Sequence, residues 1–109
     1  MENYLYKITV EIDDDKVKQL NQHDLEAVYQ TVRDAFIEQN FQDVSEGKEL
    51  IFIIMPNKRA FSAVGLAANS LYDCWMGKYI KRMDWYDADD ESTEDILKEF
   101  KEFDTKYGK

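Results

Sequence analysis

Carboxylates that follow a predicted strand are the side chains of this sequence best suited to hold a cation. The segment Asp87-Ala88-Asp89-Asp90-Glu91 comes directly after such a strand, and clustered carboxylates are ligands for Mg²⁺ or Ca²⁺. Asp87 and Asp89, with a third acid from Glu11 or Asp13, would form a Mg²⁺ site of the kind used in phosphoryl transfer. A Mg²⁺-dependent phosphoryl-transfer enzyme that uses Asp87 and Asp89 is therefore one hypothesis.

Nucleophilic catalysis has weaker support in the sequence. The chain holds one histidine, His23, and one cysteine, Cys74, too few for a disulfide scaffold or a Cys/His metal site. We expect Cys74 to fill space on a predicted helix and His23 to have a surface or capping function at a helix start. The glycines are scattered, so no glycine-rich phosphate loop is formed. We expect no catalytic residue of this class and no cofactor.

The negative charge of the chain is concentrated near its C-terminus. The 109 residues carry 14 basic and 23 acidic side chains, a net charge of −9. Between Asp84 and Asp104, ten carboxylates stand against two lysines, so this segment supplies most of the net charge. The acids predicted to form one negative strip, and to bind a partner, are Asp87, Asp89, Asp90, Glu91, Asp95, Glu99 and Glu102.

Part of this strip has a purely structural explanation. Carboxylates before and within the first turn of a helix are stabilised by the helix dipole, and a high net charge keeps a small protein soluble. On the predicted helix, however, Asp95, Glu99 and Glu102 line one flank, where like charges four residues apart cost about 0.2–0.5 kcal/mol. The sequence therefore leaves two explanations for the strip, a functional one and a solubilising one.

The functional explanation is that the strip imitates a nucleic acid. Carboxylates three or four residues apart on a helix lie about 5–6 Å from one another, close to the spacing of phosphates along a strand. We expect the strip to dock on a basic protein surface, in particular the basic groove of a nucleic-acid-binding protein, in competition with DNA or RNA. In size and charge the chain is similar to small acidic inhibitors of the anti-CRISPR and anti-restriction type, without a shared motif. That resemblance implies a non-enzymatic inhibitor.

The sequence contains two other candidate binding surfaces. Basic residues interleaved with aromatic residues can bind single-stranded nucleic acid, and such residues gather around the second helix and the third strand: Lys58, Arg59, Lys78, Lys81 and Arg82 with Tyr79, Trp85 and Tyr86. Large aromatic residues are also favoured at dimer interfaces. A structural or regulatory subunit that dimerises through Tyr4, Tyr6, Trp85 and Tyr86 is therefore a further hypothesis, although core packing is the commoner use of such residues.

The strands are predicted from apolar periodicity. Alternating apolar residues indicate a half-buried strand over residues 4–12, which we expect to end at a solvated acidic turn over residues 13–15. The continuous apolar run 50–55 indicates a strand covered on both faces. A third strand over residues 79–86 is interrupted by Lys81, Arg82 and Asp84, which favours a position near the edge of the sheet.

The helices are predicted from apolar residues at helical spacing. The first begins near His23, the second follows Asn57 and ends at Gly77, and the third begins at Ser92 or Thr93 and ends at Gly108. The apolar stripes predicted to be buried are Leu25, Val28, Tyr29, Val32 and Phe36 on the first helix, Phe61, Val64, Ala68, Leu71 and Trp75 on the second, and Ile96, Phe100, Phe103 and Tyr107 on the third. The order is β-α-β-α-β-α, an α/β or α+β arrangement. Right-handed crossovers favour a largely parallel three-stranded sheet packed with three helices. The sequence leaves the strand order and the direction of the third strand open.

Length and composition limit the remaining possibilities. A chain of 109 residues, 44% of them apolar, suits a single globular domain over residues 1–109. The longest apolar run, of six residues, is far shorter than the roughly 20 that a membrane span needs, and residues 1–10 do not resemble a secretory signal. We expect a cytoplasmic protein that binds no membrane, and no nucleic acid directly because of its negative charge. The sequence does not determine the oligomeric state.

Overall fold

The structure is a computed structural model that describes residues 4–47 and 49–106, with side chains as far as Glu102. The elements within these residues follow the order β1 (Tyr6–Ile12), α1 (Asp14–Leu20), α2 (Leu25–Glu38), β2 (Gln42–Asp43), β3 (Leu50–Ile54), α3 (Ala60–Tyr72), a 3₁₀ turn (Gly77–Tyr79), β4 (Ile80–Asp87), β5 (Ser92–Asp95) and α4 (Ile96–Lys106). This is a small α+β domain. The prediction of three strands and three helices is wrong because it lacks α1, β2 and β5.

The sheet is antiparallel, with strand order β2-β3-β1-β4-β5, and the predicted parallel sheet is also wrong. Both neighbours of β1 run antiparallel to it, so β3 and β4 point the same way. The α3 crossover therefore does join two strands of equal direction, as expected of a β-α-β unit. However, β1 occupies the position between them, and every neighbouring pair becomes antiparallel.

The core lies on one face of this sheet. Side chains of β1 alternate as predicted, with Tyr6, Ile8, Val10 and Ile12 buried and the intervening residues at least partly exposed. The apolar run in β3 is buried at four of its five positions. The main core cluster joins this face to the buried residues of α2 and α3. Burial of these apolar side chains is the main stabilising contribution to the fold.

Helices α2 and α3 pack against each other over the core. The predicted stripe of α2 is confirmed at Val28, Val32 and Phe36, which are fully buried. The predicted stripe of α3 is confirmed at Val64, Ala68 and Leu71, which are buried. Phe61, predicted on the same stripe, is 67% exposed, and small residues such as Ala60 and Ala63 are buried instead. Trp75, predicted on the same stripe, lies beyond the end of α3 and is also exposed.

The C-terminal third differs most from the prediction. Residues 92–95, expected to begin a helix, form the edge strand β5, which pairs with the second half of β4. β4 lies between β1 and β5, one strand in from the edge of the sheet. The chain then passes directly into α4, which packs against β4 and α3. The predicted helix end at Gly108 lies outside the described residues.

Residues 13–15, expected to form a solvated acidic turn, begin α1 instead. The side chain of Asp13 accepts a hydrogen bond from the backbone N–H of Lys16 at 3.1 Å, as an N-cap residue does. None of the helices in the described part of the chain combines the length and hydropathy that a bilayer crossing requires.

Candidate acidic binding surface

The first group of predicted site residues lies at the tip of the β4–β5 hairpin. The Oδ1 atom of Asp87 accepts hydrogen bonds from the backbone N–H groups of Asp89 (2.9 Å) and Asp90 (3.4 Å). Glu91 has a left-handed φ of 52°, which a tight reversal requires. The turn therefore holds four acids together, which we call the hairpin acids: Asp87, Asp89, Asp90 and Glu91.

The second group begins on β5 and continues onto α4. Asp95 ends β5, and its Oδ1 atom accepts a hydrogen bond from the backbone N–H of Lys98 at 2.9 Å. This is the N-cap interaction of α4. Asp95 also lies directly opposite Asp84 in the sheet. That like-charge pair is tolerated because Arg82 Nε lies 2.7 Å from a carboxylate oxygen of Asp84.

The charges of this second group act on one another. The pKa of Glu99 is raised above its ordinary value, first by partial burial and then by the negative charges of Glu94, Glu102 and Asp95. Negative charges nearby disfavour the ionised form of a carboxyl group, which is why these neighbours raise the pKa of Glu99. We call Glu94, Asp95, Glu99 and Glu102 the helix acids.

The hairpin acids and the helix acids together form what we call the acidic edge. All of its members except Asp87 are exposed. Lys98, 4.0 Å from Glu102, forms the one ion pair found for these acids among the described residues, and both side chains are well exposed. Exposed pairs of this kind contribute little, so most of the negative charge of the edge faces solvent uncompensated.

The hairpin acids also act on the neighbouring sheet. The pKa of Tyr6 is raised, first by burial of the phenol and then by the charges of Asp87, Asp89 and Asp90. A negative potential disfavours the phenolate. The tip of the hairpin is therefore a region of concentrated negative charge.

The seven predicted site residues thus lie in two adjoining groups, but the secondary-structure elements that carry them differ from the predicted ones. A helix from Ser92 was expected to carry Asp95, Glu99 and Glu102 on one flank, whereas Asp95 belongs to the edge strand. Glu94 was not among the predicted residues, yet it lies on β5 opposite Trp85. Predicting the position of Glu94 would have required the register of the β4–β5 hairpin, and nothing in the sequence indicates that register.

Asp87 and Asp89, proposed for Mg²⁺, lie in the same turn, but the third carboxylate of the proposed site is not brought to them. Asp87 lies opposite Tyr6, whereas Glu11 lies opposite Arg82, five residues or roughly 16 Å further along β1. Asp13 follows beyond the end of that strand. Within the described residues no group of three His, Cys, Asp or Glu side chains is arranged to hold a metal ion.

His23 and Cys74 do not form a nucleophile and base pair in the structure. His23 Nδ1 lies 2.9 Å from the hydroxyl oxygen of Tyr79, and the imidazole stacks on Trp75 with ring centroids 4.2 Å apart. The Cys74 thiol donates to the backbone carbonyl of Leu71. His23 is thus part of an aromatic cluster rather than the plain surface or capping residue that was expected.

The fold separates the members of the two other candidate surfaces, the one made of basic residues and the one made of aromatic residues. Lys58 and Arg59 precede α3 and Lys78 follows it, so the basic residues lie at both ends of a helix about 20 Å long. Tyr6 packs against Trp85, whereas Tyr4 packs against Tyr86; Trp85 and Tyr86 are consecutive in β4 and point to opposite faces.

No known family model matches the sequence, and no curated protein is similar to it.

Proposed function

We propose that this protein is a non-enzymatic binding module whose acidic edge docks on a basic protein surface. The observation that carries the proposal is the arrangement of exposed carboxylates on three consecutive parts of the chain: the turn between β4 and β5, the edge strand β5, and helix α4. A surface of one charge sign steers and orients a partner of the opposite sign.

Stabilisation of a helix by its dipole explains fewer of these acids in the structure than it does in the sequence. The helix dipole stabilises carboxylates near the first turn, and Asp95 and Glu99 benefit because α4 begins at Ile96. Asp89, Asp90 and Glu91 lie in the hairpin turn instead, and Glu94 lies in a strand. Stabilisation of α4 therefore does not account for the hairpin acids.

The partner that we propose is a nucleic-acid-binding protein, through its basic groove. Such grooves hold lysine and arginine side chains arranged to contact successive phosphates, and carboxylates bind the same side chains through charge-assisted hydrogen bonds. A run of carboxylates along the side of a small domain offers a comparable series of acceptors. The protein would then act as an inhibitor that occupies the groove, as a nucleic-acid mimic of the anti-CRISPR or anti-restriction type does.

The test is a capture experiment with two variants of equal net charge. The strip variant, Asp95→Asn, Glu99→Gln and Glu102→Gln, removes three charges of the acidic edge, and asparagine preserves the cap of α4. The control variant, Glu26→Gln, Glu38→Gln and Glu46→Gln, removes three exposed charges elsewhere. Immobilised protein is incubated with a cell lysate, and bound protein is eluted with duplex DNA or single-stranded RNA.

We expect nucleic acid to displace what the wild type captures. The strip variant should bind about tenfold more weakly, if each exposed pair contributes about 0.5 kcal/mol, and the control variant should bind like the wild type. Equal binding by both variants, or capture that an excess of DNA and RNA leaves intact, would refute the proposal.

A further inference from the structure

A small cavity opens between the start of α3 and the β4–β5 hairpin. Its volume is about 220 Å³, below the range of about 300–1,000 Å³ of pockets for drug-sized ligands. It is lined by two aromatic rings, three carboxylates and one hydroxyl: Phe61, Trp85, Asp87, Asp90, Ser92 and Glu94. The size suits the head of one side chain rather than a whole small molecule.

The aromatic wall of this cavity is held in place by packing between aromatic rings. Trp85 packs edge to face against Tyr6, with ring centroids 5.2 Å apart, and also packs against Phe61, with ring centroids 5.5 Å apart. Phe61 is nevertheless 67% exposed, the most exposed of the large apolar side chains in the described residues. The exposed phenyl ring and the half-buried indole thus form the aromatic wall of the cavity.

The polar wall carries uncompensated negative charge. Glu94 stands opposite Trp85 and Ser92 opposite Asp87 in the hairpin, so the register places one carboxylate beside the indole. Among the described residues, no lysine or arginine forms an ion pair with Asp87, Asp90 or Glu94.

We propose that this cavity binds the guanidinium group of an arginine side chain from the protein partner. A guanidinium group stacks on aromatic rings and donates forked hydrogen bonds to carboxylates, and this cavity offers both. A metal ion is a poorer occupant, because these carboxylates are not grouped for metal ligation. The inference rests on the proposed function for the origin of the arginine, and it gives the acidic edge one specific anchoring position.

The experiment is an NMR titration of the whole protein with Nα-acetyl-arginine amide, followed at the tryptophan indole N–H resonances. We expect a saturable shift of the Trp85 resonance and little change at Trp75, which lies in the His23 cluster. The amide of acetyl-citrulline, which is neutral and nearly the same shape, should produce no saturable shift. The lysine analogue should bind more weakly.

Two variants and a control locate the binding. Phe61→Ala should weaken arginine binding about two- to fivefold, the range of an exposed cation–π contact, and Glu94→Gln should weaken it as well. Leu66→Ala removes another exposed apolar residue of α3 and should have no effect. The absence of a saturable shift at Trp85, an equal response to citrulline or lysine, or unchanged binding in Phe61→Ala would overturn the inference.

The two proposals fail in different ways. If the cavity does not bind arginine but the acidic edge is correct, the titration is negative, and DNA still displaces the captured partner. If the edge proposal is wrong, DNA does not displace the captured protein, whereas arginine still shifts the Trp85 resonance. The strip variant leaves Phe61, Trp85 and Glu94 intact and should therefore bind the arginine derivative like the wild type.

Discussion

His23 and Tyr79 are 56 residues apart in the sequence, and the imidazole Nδ1 atom lies 2.9 Å from the phenolic oxygen. Tyr79 is fully buried, whereas His23 is half-buried and stacked on Trp75. The pair ties the loop between α1 and α2 to the turn that precedes β4. One of the two residues donates and the other accepts, according to the tautomer of the imidazole.

Replacement of Tyr79 and replacement of His23 should each destabilise the fold, but by different amounts. Tyr79→Phe removes one hydrogen bond and should cost about 0.5–1.5 kcal/mol. His23→Ala leaves a buried hydroxyl without this partner and should cost about 1–3 kcal/mol. Urea unfolding of both variants and of the double variant measures their coupling. A double variant whose cost equals the sum of the single costs within about 0.3 kcal/mol would contradict a direct interaction.

Gly77 should tolerate no side chain. A Cβ atom at this position would overlap the backbone carbonyl oxygen of Tyr72, and this backbone can move away only if the end of α3 is distorted. Gly77→Ala should therefore cost about 1–3 kcal/mol, as overpacking does.

Gly65 supplies the matched control for Gly77. It lies within α3, and a Cβ atom there would meet nothing within 4 Å. Gly65→Ala should stabilise the protein by about 0.5–1 kcal/mol, because alanine loses less backbone entropy in a helix. Thermal unfolding of the two variants gives the comparison, and shifts of the same sign would contradict this account of the two glycines.

The elements that could be predicted from the sequence are those with a sustained apolar period. β1 has seven residues with strict alternation, and α2 buries Val28, Val32 and Phe36 on one stripe. β5 could not be predicted in this way, because all four of its residues are exposed and no apolar pattern marks them. Its conformation follows from pairing with β4, a tertiary effect that local propensity does not contain.

The acidic edge and the cavity differ in the same way in how far the sequence could predict them. The concentration of acids near the C-terminus is a property of composition and was predictable. The cavity depends on the register that sets Glu94 opposite Trp85 and on Phe61 facing away from the core. Helical spacing assigned Phe61 to the buried stripe, which small residues such as Ala60 and Ala63 occupy instead.

Stability at high pH should depend on Tyr29. Burial, a hydrogen bond donated to Asp14 and the charge of Asp14 raise the pKa of Tyr29 to about 12. The folded state therefore binds the phenolic proton more tightly than the unfolded state, whose pKa is about 10. The stabilising contribution is complete below pH 10 and is lost as the pH rises towards 12.

Comparison with Tyr29→Phe isolates this contribution. The difference in free energy of unfolding between the wild type and the variant should change between pH 10 and 12 and be constant below that range. Urea unfolding at a series of pH values, with the phenolate absorbance as a second readout, measures it. A difference that is the same at pH 8 and pH 12 would exclude a raised pKa at Tyr29.

Glu99 should destabilise the fold at neutral pH. Its pKa is raised by partial burial and by Glu94, Glu102 and Asp95, so the folded state favours the protonated carboxyl, and the stability associated with that proton is lost as the pH rises through the folded pKa. Glu99→Gln should therefore be more stable than the wild type at pH 7 by a few tenths of a kcal/mol, about the cost of a like-charge pair.

This stabilisation should disappear in acid. Below the ordinary pKa of a glutamate the carboxyl is protonated in both states, and the variant and the wild type should then unfold at the same urea concentration. A variant that is less stable than the wild type at pH 7 would show that Glu99 makes a favourable interaction, contrary to the clustering of the helix acids.

The central claim is that the acidic edge, rather than the net charge, binds the partner. Its most direct test is the salt dependence of the affinity for the captured protein, measured by calorimetry with the wild type, the strip variant and the control variant. Screening weakens interactions between exposed charges, so log Kd should rise steeply with log salt for the wild type and the control variant, and less steeply for the strip variant. Equal slopes for the strip and control variants, which have the same net charge, would contradict the claim.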